Sequence, residues 1–136
     1  MANSVYPKYT KAVHTGGANT NLLTSFLKLV LIDSGTYTYN VADQFLSDIP
    51  GGAQLKISGV LTGVSVSDLG ALDFDNPVFA SVTSVSAEGV VLFIDTGTPG
   101  TSRLVVYKDS GITGLPVTPA GASYNYVVDA AGFVVL

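Results

Sequence analysis

Glu88-Gly89-Val90-Val91-Leu92-Phe93-Ile94-Asp95 holds five consecutive large apolar residues between a glycine and an aspartate. A strand with one wet face alternates apolar and polar residues, whereas an unbroken apolar run fits a strand covered on both faces. This segment therefore reads as the central strand of a sheet. Five apolar residues fall far short of the ~20 a membrane-spanning helix needs. Outward from it, Ser25 to Asp33 and Arg103 to Lys108 read as further strands, the second entered through the turn-rich Gly97-Thr98-Pro99-Gly100.

The rest of the chain supports an all-β class. Val is the commonest residue, Ser and Thr are abundant, and glutamate occurs once, at Glu88. β-Branched and aromatic side chains fit a pleated surface, while helices favour the straight-chain residues that are sparse here. Thr36-Tyr37-Thr38-Tyr39 alternates and places both tyrosines on one face. Gln54 to Ser58, Val60 to Val66 and Pro77 to Ala87 read as strands, with Val60, Val64 and Val66 sharing one face and Val78, Ala80 and Val82 another. Ser123 to Val128 and Phe133 to Leu136 read as a closing hairpin with Gly132 at a positive φ. Asp43 to Asp48 reads as one helical turn, stopped by Pro50-Gly51-Gly52. Eight or nine short strands with turns between them predict a single-domain, jelly-roll-like β-sandwich over 21–136. Residues 1–20 read as an N-terminal arm or helix: Ser4 as cap, Pro7 in the first turn and Gly16-Gly17 at the end.

The 136 residues carry 47% hydrophobic and 12% charged side chains, which excludes a disordered chain. Six scattered cations against ten acidic groups leave a net charge of −4, so nucleic acid is not an expected partner. No membrane segment and no leader peptide are read at the start. Zero cysteines remove disulfides, thiolate nucleophiles and thiolate metal sites.

Three constellations bear on chemistry. Asp33-Ser34-Gly35-Thr36 and Asp95-Thr96-Gly97-Thr98 each follow an apolar run and match the aspartic-protease signature, in which two carboxylates share one proton. A third copy, Asp109-Ser110-Gly111, lacks the trailing Thr. A strand-ending turn explains all three, because an Asp side chain accepts backbone N–H groups two residues on and Gly takes the left-handed position. Asp73-Phe74-Asp75-Asn76 offers oxygen ligands but lacks the glycine and distal glutamate of a calcium loop, and reads as a solvated turn. His14, the single histidine, has no nucleophile motif beside it and falls near helix C-terminal carbonyls. No catalytic residue, metal site or cofactor is assigned. Tyr6, Tyr9, Tyr37 and Tyr39 stand out instead as contact residues, since an aromatic ring with a polar tip suits protein interfaces.

Met1 to Tyr9, Gly35-Thr36-Tyr37-Thr38-Tyr39-Asn40, Gln44-Phe45-Leu46-Ser47-Asp48-Ile49-Pro50, Ile94-Asp95-Thr96-Gly97-Thr98, Ser102-Arg103-Leu104-Val105 and Gly114-Leu115-Pro116-Val117-Thr118-Pro119 together resemble a family of small virion structural proteins of tailed bacteriophages. The resemblance implies a part of the particle, made in the bacterial cytoplasm. Its places are capsid cement, tail component or fibre-like appendage binding host glycans. Cement is the expectation: a small acidic β-sandwich on the capsid surface, bridging major capsid protein subunits as a homodimer or trimer. Repeated attachment on a symmetric shell lets modest contacts of about 1,600 Å² hold firmly. The aspartic protease using Asp33 and Asp95 is the remote alternative.

Overall fold

The computed structural model describes residues 4–80, 82, 86–110, 112, 115, 121 and 123–136. Three strands organise them. β7 (Gly89–Asp95) lies between β2 (Phe26–Ile32) and β8 (Arg103–Lys108), antiparallel to both. Val90 to Ile94 are at most 1% exposed, so both faces of β7 are covered. The neighbours match: β2 is buried from Leu29 through Ile32, and β8 from Arg103 to Tyr107. The expected central strand is therefore the middle of a five-stranded antiparallel sheet ordered β1-β8-β7-β2-β3, edged by β1 (Ser4–Val5) and β3 (Gln54–Ile57). Gly89 admits the close crossing of β8, since a Cβ there would sit 2.9 Å from the Lys108 carbonyl oxygen.

The remaining strands are two or three residues long. β5 (Ala71–Asp73) pairs with β4 (Ser65–Val66) and β10 (Val134–Val135), and β6 (Val78–Phe79) pairs with β9 (Tyr124–Asn125). Leu72 of β5, Phe79 of β6 and Phe133 before β10 join one buried cluster with Leu29 and Leu92 of the large sheet. The described residues are mostly β, with antiparallel sheets and one short α-helix, α1 (Pro7–His14).

Several local expectations are corrected. The helix starts at Pro7 rather than at Ser4, because Ser4 and Val5 pair with Tyr107 and Val106 of β8. The segment expected as an arm is thus woven into the body by its own edge strand. Thr36 to Tyr39 forms no strand, although Tyr37 and Tyr39 do face the same, buried side. Val60 and Val66 are exposed, and only Ser65–Val66 is strand. Val78 and Ala80 are exposed while Phe79 and Val82 are buried, so Val82 does not share the face of the other two. The closing hairpin does not form: β9 and β10 pair with β6 and β5 instead of with each other. Residues 81, 83–85, 111, 113, 114 and 116–120, on which parts of the Pro77–Ala87 strand, the third Asp-Ser-Gly and the Gly114–Pro119 motif fall, lie outside the described residues.

The turn at Gly132 follows expectation. Its φ is +102°, its N–H donates to the Asp129 carbonyl at 2.8 Å, and an added Cβ would stand 2.9 Å from the Leu72 carbonyl oxygen. Gly132→Ala therefore combines backbone strain with a clash against β5. It is expected to cost about 1–3 kcal/mol in chemical denaturation, whereas Gly51→Ala, which meets nothing within 4 Å, is expected to stay within about 0.5 kcal/mol.

Candidate functional site

The four tyrosines expected at an intersubunit contact lie inside their own chain. Tyr6 is 0% exposed, Tyr37 4%, Tyr9 6% and Tyr39 9%, so their rings offer almost no surface to a neighbour. Tyr6 extends the β1–β8 ladder through its N–H, which donates to the Val105 carbonyl at 2.9 Å. The rings of Tyr6 and Tyr39 approach to 5.1 Å, Tyr39 and Tyr107 to 5.6 Å, and Tyr37 and Tyr107 to 6.1 Å. Aromatic pairs at such tilted and edge-on geometries are favourable beyond simple area burial.

What allows this burial is a partner for each hydroxyl. Tyr37 donates its proton to Asp43 Oδ2 at 2.7 Å, so at the 2.9 Å contact between the two hydroxyls Tyr6 is the donor to Tyr37. Tyr39 donates to the Val5 carbonyl, Tyr9 to the Thr20 carbonyl and Tyr107 to Asp109 Oδ2. Burial pushes the Tyr6, Tyr9, Tyr37, Tyr39 and Tyr107 hydroxyls above the ordinary tyrosine range, and the bond to Asp109 adds to the rise at Tyr107. The cluster is a neutral, hydrogen-bonded clasp that ties the N-terminal segment and the 36–43 loop to β8.

The carboxylates considered for acid catalysis are kept apart. Asp95 ends β7 opposite Phe26, while Asp33 follows Ile32, which pairs with Gly89 at the other end of the same ladder. The length of β2 separates them, roughly 20 Å at about 3.3 Å per residue, so within one chain they cannot share a proton. Asp33 Oδ1 accepts the Gly35 N–H at 2.9 Å and Asp95 Oδ1 the Gly97 N–H at 3.0 Å, which is the turn geometry expected of both. Gly97 has the anticipated positive φ, but Gly35 does not. Asp95 also pairs with Lys28 at 2.8 Å, and that bond holds its carboxyl below the usual range. Glu88 caps the first turn, accepting the Ser34 N–H and hydroxyl.

The oxygens of the Asp73–Asn76 turn also have separate partners. Asp73 accepts the Phe74 N–H, Asp75 the Thr62 hydroxyl and Asn76 the Val128 N–H. Among the described residues no three His, Cys, Asp or Glu side chains converge on a common point. His14 is the exposed last residue of α1. Among the described residues no helix is long and apolar enough to cross a membrane.

Among the exposed apolar residues, several lie on or beside the three-stranded sheet. Leu69 is 87% exposed and Val135 65%, and with Val66 and Ala131 they line an open groove of about 650 Å³. Residue-by-residue patterning passes over these positions, because apolar residues in strands are expected to face inward. The available signal is Asp68-Leu69-Gly70, a large aliphatic at the tip of a turn whose Gly70 has φ +80°. No family model matches the sequence, and no curated protein matches it.

The tyrosine clasp generates a pH prediction. A phenol whose pKa is raised in the folded state retains its proton where the unfolded chain, titrating near pH 10, has lost it. Stability is therefore expected to be unaffected by these groups below about pH 10 and to fall as pH rises further. Absorbance at 295 nm should show phenolate appearing together with the loss of circular dichroism, not as a separate titration of the folded protein. Tyr37→Phe removes both the acceptor of the Tyr6 proton and the donor to Asp43, and is expected to cost about 1–3 kcal/mol.

Proposed function

We propose that this chain is a non-enzymatic structural protein of a tailed-bacteriophage virion, a cement protein that binds the outside of the capsid and bridges major capsid subunits. The observation that carries the reading is the groove beneath Leu69 and Val135. A small acidic protein leaves large aliphatic residues in water at a sheet margin, while its tyrosines and the long strands are closed off inside. Contiguous exposed apolar surface of this kind marks a place where another protein sits. The sequence motifs that resemble phage virion proteins supply the partner, a shell subunit.

In this reading the five-stranded and three-stranded sheets are the two layers of a jelly-roll-like sandwich, which the shared buried cluster of Leu29, Leu92, Leu72 and Phe133 supports. The contact moves from the four tyrosines to the aliphatic groove. Homodimers or trimers seated at symmetric gaps between capsomers would multiply modest contacts into durable attachment.

The test uses capsids of the encoding phage lacking the protein. Added protein is expected to co-sediment with them and to raise the temperature at which they rupture. Leu69→Asp combined with Val135→Lys should keep the wild-type circular dichroism, since both side chains are exposed, and should weaken capsid binding by at least about tenfold, or 1.4 kcal/mol. Undiminished binding by that variant would remove the groove from the contact. Wild-type protein that ignores capsids but co-purifies with tails would replace cement by a tail component.

A further inference from the structure

The chain has one arginine, and it is buried. Arg103 opens β8 at 8% exposure. Its Nε and Nη2 both donate to the Ala18 carbonyl, at 3.2 and 3.0 Å, and its Cζ lies 5.5 Å from the centre of the Phe45 ring. These contacts fix the plane of the guanidinium but bring it no negative charge. Among the described residues no carboxylate forms an ion pair with Arg103, and Nη1 makes no hydrogen bond.

Arg103 lines an open cavity of about 330 Å³ together with Lys8, Lys11, Gln44 and Thr15. Lys8 and Lys11 stand three residues apart on an exposed flank of α1, beside the buried Ala12. Half of the six cationic side chains in a protein of net charge −4 thus converge on one cavity. Like charges repel, so their gathering is unfavourable unless an anion joins them. The negative end of α1 does little to supply one, because the Thr15 N–H and hydroxyl and the Gly17 N–H already bond the Lys11 and Ala12 carbonyls. Asp48 offers Lys8 a partial counter-charge, but its carboxylate is held by the Gln44 and Phe45 N–H groups at 2.8 and 2.9 Å.

We propose that this cavity is an oxyanion site that takes a carboxylate or phosphoryl group. Arg103 is the fixed floor, since a planar guanidinium matches the spacing of two anionic oxygens. Lys8 and Lys11 close over the anion from the helix, their long stems free to adjust. The proposal is independent of the capsid reading, because it concerns different residues from those of the aliphatic groove and a different ligand chemistry.

The test is an NMR titration of the ¹⁵N-labelled protein at pH 7 with sodium phosphate and, separately, sodium acetate, each balanced with sodium chloride to constant ionic strength. The Arg103 Nε–H and the Lys11 and Gly17 amides are expected to shift and saturate in the millimolar range or below. Lys8→Gln with Lys11→Gln, both at exposed positions, should leave the melting temperature nearly unchanged and weaken the anion by at least about tenfold. Tighter phosphate points to phosphoryl ligands, and tighter acetate to acidic side chains. Shifts no larger than those chloride produces with both anions, or full affinity in the double variant, would overturn the proposal.

Discussion

β7 sets the terms for everything around it. Its residues Val90 to Ile94 are apolar on both faces and hydrogen-bonded along both edges. A strand in that position cannot lie at a surface, because each face would expose large side chains to water. It therefore demands apolar neighbours, and Leu29, Val30, Leu31, Ile32, Leu104, Val105 and Val106 meet that demand at 0% exposure. It also demands a cover over each side of the resulting slab. The tyrosine cluster of Tyr6, Tyr37, Tyr39 and Tyr107 and the second aromatic group of Phe74, Tyr126 and Phe133 are parts of that cover.

The long strands were legible because their information is local. Five apolar residues in a row mean the same thing whatever the remainder of the chain does. The Asp turns were legible for a similar reason, since Asp33 and Asp95 each bond a glycine two residues away. The short strands were not. A two-residue strand such as β10 has no period of its own, and its identity comes from Leu72 and Ala71, more than sixty positions upstream. A turn glycine such as Gly132 is compatible with a hairpin, yet it cannot dictate which strands its flanks will join.

The tyrosines show the same limit in the candidate site. A tyrosine has an apolar ring and a polar tip, so its composition suits an interface and a core equally well. The choice depends on whether the hydroxyl finds a partner inside. Tyr6 finds Tyr37, and Tyr37 finds Asp43. The first of these partnerships spans 31 residues and cannot be read from either neighbourhood. An interface role for Tyr6, Tyr9, Tyr37 and Tyr39 follows from side-chain chemistry alone, and the internal acceptors are what place them inside. The exposed aliphatics were missed by the opposite error, because Val66 and Val135 carry the ordinary signature of inward-facing strand residues.

Of the two surfaces that remain, the basic cavity is the one set by the clasp. Burial of Tyr6 and Tyr9 anchors α1 on β8, and a helix with one face anchored must present the other. Lys8 and Lys11 stand on a flank beside the anchored face, so the tyrosines determine where those two charges stand relative to Arg103. Ala18 adds a second restraint, since its carbonyl holds the guanidinium to the loop that follows the helix. The groove at Leu69 and Val135 has no comparable reinforcement: its strands are two and three residues long, and its shape rests on Leu72 and Phe133 packing into the shared core. A rigid basic cavity and a shallow apolar groove suit different partners. The first selects by charge and geometry, and the second by area.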